Sequence, residues 1–449
     1  MDRRNFLKKA SLMGLGLPLL AANPFSGVKL FASTSSEKPA LLSGRKIPSI
    51  APTAWPLFDQ AEYTALAEVL ESGKWGRLHG GKTYRFEKQF AAMQGAKAAL
   101  ALSSGTSALT TLLGVLDIGP GDEVIIPAYT FVATYNVVTL NHALPIFVDT
   151  DRESFQIDAT KVEQAISPQT RLLMPVHIGG SPCDLDTLLE IAQRRGLPLV
   201  EDACQAHLAE WRSRGVGTFG VGGAFSFQST KNLNCAEGGA IVSNDREFIR
   251  KCYCFHNQGR GINANAFLAG EGVRASNLRI TEFQSAMLLA QMARVEEQTR
   301  LRNENAGYLT KLFQEIEGVT PAKLYEGTTR SAYHLYMFRY DANHFAGMSK
   351  EQFIKALNAE GVACNGGYGA MNRGAYVTEL ANNRHYLHIY GKRRMRRWVE
   401  ENALPQNEAL VKEAVWIPQT SLLGTRQQME QIGEAILRVQ RHAAELAKL

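Results

Sequence analysis

Three short stretches hold residues whose chemistry depends on where they are placed. The first is Phe225-Ser226-Phe227-Gln228-Ser229-Thr230-Lys231, an apolar run followed by a lysine, with Glu237-Gly238-Gly239-Ala240 close behind. A lysine held against a sheet edge loses water, and desolvation favours the neutral amine that forms imines with carbonyl groups. Standing alone, the same lysine reads as a solvated loop charge. The second stretch is Leu199-Val200-Glu201-Asp202-Ala203-Cys204-Gln205, an apolar strand closing on two carboxylates. Neighbours on a strand point to opposite faces, so only one of the pair can enter a given crevice. Asp202 is assigned to it, where a carboxylate can hold a pyridine nitrogen protonated. A helix cap with a solvent-facing Glu201 is the other reading. The third is Ser103-Ser104-Gly105-Thr106-Ser107, a strand-to-helix turn whose N–H groups and hydroxyls converge as an anion seat. Many such turns need a glycine and a hydroxyl cap without binding anything.

The elements that must position these residues are legible as alternating apolar runs and helical periods. Strands are expected at Ala98–Leu102, Glu123–Pro127, Leu144–Asp149, Leu172–His177, Leu197–Val200, Gly223–Phe227 and Gly239–Ser243, with helices such as Ser107–Leu116 and Leu185–Arg195 between them. Continuous apolar strands joined by helices imply a mostly parallel sheet covered on both faces, an α/β fold. After about Arg300 the pattern changes to helical stretches around Tyr333–Tyr340 and a terminal helix from Arg426 to Leu449, as in a smaller α+β domain. The expected organisation is a leader at 1–36, a large domain at 50–300 and a C-terminal domain at 301–449.

The 449 residues, 45% hydrophobic and 20% charged, suffice for a sizeable core. The net charge of +6 is concentrated in the leader and in Lys392-Arg393-Arg394-Met395-Arg396-Arg397. Two local clusters lack the extended basic face that nucleic-acid binding requires. The second reads as a solvated helix face. The leader Arg3-Arg4-Asn5-Phe6-Leu7-Lys8-Lys9 is a twin-arginine pattern, followed by the apolar stretch Leu12 to Ala22. That stretch is too short to span a bilayer, so export of the folded chain to the periplasm or beyond is expected, with no stable membrane span. Six cysteines show no paired spacing; neither a disulfide framework nor a metal site is expected.

Together, the three stretches resemble the DegT/DnrJ/StrS sugar aminotransferases, within the fold type I enzymes that depend on pyridoxal 5'-phosphate (PLP). The likeness runs from about Trp55 to the end. It includes Gly73-Lys74-Trp75-Gly76, Gly119-Pro120-Gly121-Asp122-Glu123, Pro127-Ala128-Tyr129-Thr130-Phe131, Glu201-Asp202-Ala203 and Glu237-Gly238-Gly239. The resemblance implies that Lys231 carries PLP covalently and shuttles the proton, and that Asp202 pairs with the ring nitrogen. It further implies that Gln205 contacts the ring, that Gly105, Thr106 and Ser226 bind the phosphate, and that Phe131 stacks on the ring. Asn277, in Ser276-Asn277-Leu278-Arg279-Ile280, is similar to an asparagine that reaches the phosphate of a neighbouring subunit, which implies a homodimer with shared sites. Leu278 stands where the family has tyrosine.

For the substrate, Ala414-Val415-Trp416-Ile417-Pro418-Gln419 and Cys364-Asn365-Gly366-Gly367-Tyr368-Gly369 resemble the branch acting on scyllo-inosose-type cyclitols. Lys231-Asn232-Leu233-Asn234-Cys235-Ala236-Glu237 is similar to the branch acting on nucleotide-linked 4-keto sugars. Export favours an unlinked keto sugar or cyclitol, aminated from glutamate or glutamine. A catalytically idle PLP-fold binding protein, and a different PLP reaction such as dehydration or racemisation, are the remaining alternatives.

Overall fold

Seven short apolar segments fold as strands: β1 (Ala98–Leu102), β2 (Glu123–Pro127), β3 (Leu144–Val148), β4 (Thr170–Leu173), β5 (Val200–Asp202), β6 (Gly222–Ser226) and β7 (Gly239–Ser243). The computed structural model describes residues 38–45, 47, 50–262 and 274–449; the expected twin-arginine leader lies outside the described residues. Strand β2 pairs in parallel with β3 and β4, and β5 in parallel with β6. Parallel bridges Leu173↔Leu199 and Val176↔Asp202 join the two halves. The order is β3-β2-β4-β5-β6-β7-β1, and among the described residues only β7 runs against the rest, paired antiparallel to β6 and β1. Strands β2, β3, β6 and β7 are buried along their whole length, in keeping with their largely apolar sequences.

Two strands differ from expectation by more than one residue. β4 stops at Leu173 rather than His177 because Pro175 has no N–H for the ladder, and pairing resumes at Val176. β5 covers Val200–Asp202 rather than Leu197–Val200, since Gly196 caps the preceding helix in the left-handed region and Leu197-Pro198 complete that turn. The shift carries both carboxylates into the strand's last positions.

The helices that matter for the site are α1 (Gly105–Val115), α2 (Val132–Leu140), α3 (Leu185–Arg195) and α4 (Glu282–Gln314). α1 and α2 start directly beyond the carboxyl ends of β1 and β2. α4 is continuous for 33 residues through the expected boundary near Arg300. Beyond it, β8 (Val319–Pro321), β9 (Leu335–Tyr340) and β10 (Ala414–Pro418) form an antiparallel sheet of order β8-β9-β10.

The stretch Tyr333–Tyr340, expected to be helical, is therefore corrected to strand over Leu335–Tyr340. Its side chains alternate with period two. Tyr336 and Phe338 meet Phe313 of α4, with ring centroids 5.5 and 5.2 Å away, while Leu335 and Met337 pack toward Tyr129, Phe155 and Val176. The terminal helix also breaks, at His442 (φ −106°, ψ 17°), into Arg426–Arg441 and Ala443–Leu446. In the basic cluster, Arg394 is paired with Glu123 at the start of β2 (2.7 Å) and with Glu401 (2.9 Å).

Candidate functional site

The carboxyl ends of β1, β2, β5 and β6 open into a cavity of about 840 Å³, the place where open α/β sheets bind ligands. Gly105, Thr106, Phe131, Asp202, Gln205, Ser226 and Lys231 all line it. Asn277 does not. It is exposed, beyond the end of β1, in a segment bridged to Asn257.

The turn after β1 is built for a close approach. Ser104 caps α1, its hydroxyl accepting from the Ser107 N–H at 3.0 Å. A Cβ on Gly105 would come within 2.7 Å of the Ser226 Cβ and 2.9 Å of the Cys204 Sγ, so only glycine lets this turn lie against β6. A Cβ on Gly239 would likewise meet the Ser104 carbonyl oxygen at 2.2 Å. The result is a cradle at a helix N-terminus, lined by Ser104, the exposed Thr106 and Ser226. It fits a phosphate.

The two carboxylates at the end of β5 have separate fates. Glu201 is fully buried and accepts N–H bonds from Gly217 (2.6 Å), Phe219 (2.7 Å) and Gly220 (3.0 Å), with His177 Nε2 at 3.1 Å. Burial alone would raise its pKa, but His177 and these N–H groups outweigh it and hold the group below the usual carboxylate range. Asp202 points the other way, into the cavity. The Thr134 hydroxyl donates to Oδ2 at 2.9 Å and the Cys204 N–H to Oδ1 at 3.2 Å.

Lys231 sits in a tight turn after β6, its N–H bonded to the Gln228 carbonyl at 2.8 Å. Burial pushes its amine pKa down, opposed by Cys204 and Asp202. The Cys204 thiol is itself pushed well up by burial and keeps its proton, which leaves Asp202 as the effective counter-charge. The amine lies 3.5 Å from His334 Nε2. Asn232 donates from Nδ2 to the Ala332 carbonyl at 2.7 Å, so its Oδ1 faces His334 Nδ1 at 3.2 Å. That arrangement assigns the His334 proton to Nδ1 and leaves the Nε2 lone pair toward Lys231. Burial holds the His334 pKa well below its ordinary value, so the ring is neutral.

Gln205 donates from Nε2 to the Tyr368 hydroxyl at 2.7 Å and accepts from the Gly179 N–H at 2.8 Å. Tyr368 packs edge-on to Trp416, with centroids 4.7 Å apart, and tilted to Phe131 at 6.3 Å. Phe131 is 54% exposed, a flat apolar face left open in the cavity wall. An aromatic face, an oriented carboxylate, a buried amine and an anion cradle are the four parts that PLP requires, and the donor set fits it.

Sequence reasoning about the site missed His334, since it lay in a stretch read as helix. It also gave no role to Thr134, whose hydroxyl orients Asp202. The Thr130-Phe131-Val132-Ala133-Thr134 spacing, with Thr134 one helical turn past Thr130, was the available signal. The cysteines are free thiols, and among the described residues no His, Cys, Asp and Glu cluster could hold a metal.

A model of the DegT/DnrJ/EryC1/StrS aminotransferase family matches residues 56–437. The chain is 32% identical over 400 residues to the 3-amino-5-hydroxybenzoate synthase of Amycolatopsis mediterranei, covering 88% of this chain and 98% of that one. It is 33% identical over 405 residues to the L-glutamine:2-deoxy-scyllo-inosose aminotransferase of Streptoalloteichus tenebrarius, covering 87% and 95%. The crystal structure of a 3-amino-5-hydroxybenzoic acid synthase superposes with a TM-score of 0.77 at 31% identity, over 89% of this chain and 99% of that one.

Proposed function

The chain belongs to the DegT/DnrJ/EryC1/StrS aminotransferase family and is a PLP-dependent aminotransferase; from that premise we propose that it aminates an unlinked keto cyclitol or keto sugar of the scyllo-inosose type, drawing on L-glutamine or L-glutamate. The observation that carries this reading is the buried Lys231 amine sharing one cavity with Asp202 and the Gly105 cradle. A relative named for amino transfer from L-glutamine to 2-deoxy-scyllo-inosose supports the choice of substrate class.

PLP, when bound, supplies an electron sink for bond breaking at the carbon that carries the amino group. The chain's residues do the rest. Asp202, fixed by Thr134 and the Cys204 N–H, would hold the ring nitrogen protonated. Ser104–Thr106 and Ser226 would hold the phosphate, and Phe131 would cover one ring face. Lys231 would carry a proton at Nζ between the substrate and cofactor carbons, with His334 Nε2 as its nearest acceptor. Gln205, anchored to Tyr368 and Gly179, would fix the edge of the ring.

Two further features belong to this reading. Asn277 lies exposed outside its own chain's cavity, which supports a role in the site of a second copy and hence a homodimer. The leader at Arg3-Arg4 supports export by the twin-arginine route, and no helix among the described residues is long and apolar enough to cross a membrane. Product analysis with L-glutamine and either 2-deoxy-scyllo-inosose or a nucleotide-linked 4-keto sugar tests the substrate. The unlinked compound should be aminated. Turnover of the nucleotide-linked compound alone would overturn the choice, and cytoplasmic protein beginning at Met1 would overturn export.

A further inference from the structure

Two other arginine side chains buried among the described residues have a carboxylate. Arg77 pairs with Glu87 at 2.6 Å and Arg438 with Glu360 at 3.4 Å. Arg302, on α4, is fully buried and has none among the described residues. Its Nε and Nη2 both donate to the amide oxygen of Gln419, at 2.9 and 2.5 Å, and its Cζ lies 5.6 Å from the Trp55 ring centre. Nη1 has no partner. Burial without a counter-charge pushes the guanidinium down to about 9, still cationic at neutral pH. An uncompensated buried cation is costly, and its cost falls when an anion arrives.

Gln419 connects this cation to the site. It follows β10, forms part of the cavity wall with Trp55 and His334, and is 2% exposed. Because Arg302 occupies its Oε1, its orientation is fixed and its Nε2 faces away from the guanidinium. That Nε2 has no partner. The Gln419 N–H also bonds the His334 carbonyl at 3.1 Å, and the His334 ring touches the Lys231 amine. A donor pair backed by a positive charge thus stands one residue from the reacting nitrogen.

We propose that Gln419, backed by Arg302, receives the α-carboxylate of the amino-acid donor. The inference rests on the aminotransferase reading and adds to it the seat of the first substrate. In that reaction donor and acceptor occupy one cavity in turn. The keto cyclitol is uncharged, and the donor is the partner that brings a carboxylate. The cofactor phosphate has its own cradle on β1, α1 and β6. A cation fully buried behind an amide suits one small planar anion rather than a diphosphate, which needs several exposed cations.

The substitution Gln419→Glu gives Arg302 a carboxylate of the same shape, keeping the fold, while it removes the free N–H donors and places a negative charge at the seat. Glutarate, a dicarboxylate without an amine, serves as the probe on PLP-loaded protein by calorimetry. Wild type should bind it in competition with L-glutamine, and Gln419→Glu should bind it about tenfold more weakly or worse. The same variant should raise KM for L-glutamine by a similar factor, while KM for the keto acceptor moves less than about twofold. Wild type that ignores glutarate, or a variant that binds it unchanged, overturns the proposal. Should the variant fold poorly, Gln419→Asn takes its place, since the shorter amide withdraws its N–H donors from the seat; glutarate should bind it several-fold more weakly, and unchanged binding overturns the proposal. Failure of the aminotransferase reading would look different: glutarate binding dependent on Gln419, with no reaction from L-glutamine.

Discussion

The cavity has two walls, and they are built by different means. One wall is the edge of the large sheet, where Ser104–Thr106, Asp202, Ser226 and Lys231 leave the ends of β1, β5 and β6. Their positions follow from strand order and from two glycines that let backbones touch. The other wall carries His334 just before β9, Trp416 on β10, Gln419 just after β10, and Tyr368 in the segment before α-helical residues 375–382. These side chains are held mainly by side-chain contacts with distant segments, through Asn232–His334, Arg302–Gln419 and Tyr368–Gln205. A wall fixed by backbone topology serves a cofactor that every turnover shares. A wall fixed by side-chain contacts can be altered residue by residue, and it is suited to choosing substrates.

Substitutions separate the two walls. The largest effect is expected on the sheet edge: Lys231→Ala should reduce transamination to background with the melting temperature nearly unchanged, and PLP should become removable by dialysis. Asp202→Asn should retain PLP but lose roughly 100-fold or more in turnover. Glu201→Gln, one residue away, should instead cost about 3 kcal/mol of stability in denaturant melts, because it disrupts a buried carboxylate bonded by His177 and three N–H groups. If Glu201→Gln kills turnover and Asp202→Asn does not, the assignment of the two carboxylates is reversed.

On the opposite wall, His334→Phe should lower turnover by about tenfold while PLP affinity stays near wild type, since it removes one hydrogen-bonding neighbour of Lys231. A loss of PLP affinity instead would place His334 with the sheet edge. Stability against pH gives a separate readout. Burial pushes His207 and His256 to about 3, from an ordinary 6.5. In both, the folded pKa lies below the unfolded one, so the unfolded state takes up protons first. Stability should be full above about pH 6.5 and fall as pH drops toward 3, by about 1.4 kcal/mol per unit for each ring. Melts at pH 7, 6 and 5 check this.

The same division sets what was legible in the sequence. Sheet-edge residues follow apolar runs of four or five residues, and motifs that end strands announce themselves by glycine, hydroxyl and carboxylate in a row. Gly105, Asp202, Ser226 and Lys231 were therefore found in the chain and lie in one cavity. The far wall depends on contacts across long sequence separations, such as Arg302 with Gln419 and Asn232 with His334. No local pattern encodes those. The strand β9 was hidden because Tyr336, Met337, Phe338 and Arg339 are apolar or long on both faces, so that period two and period 3.6 were hard to tell apart without its neighbours β8 and β10.

The most direct test is a two-step titration of the PLP-loaded protein, followed by the visible absorbance of lysine-bound cofactor. Adding L-glutamine alone should abolish that absorbance stoichiometrically as the amino group moves to the cofactor. Adding a scyllo-inosose-type keto cyclitol should then restore it and release an amino cyclitol. An absorbance that neither L-glutamine nor L-glutamate changes, in protein shown to hold PLP on Lys231, would contradict amino transfer through this site.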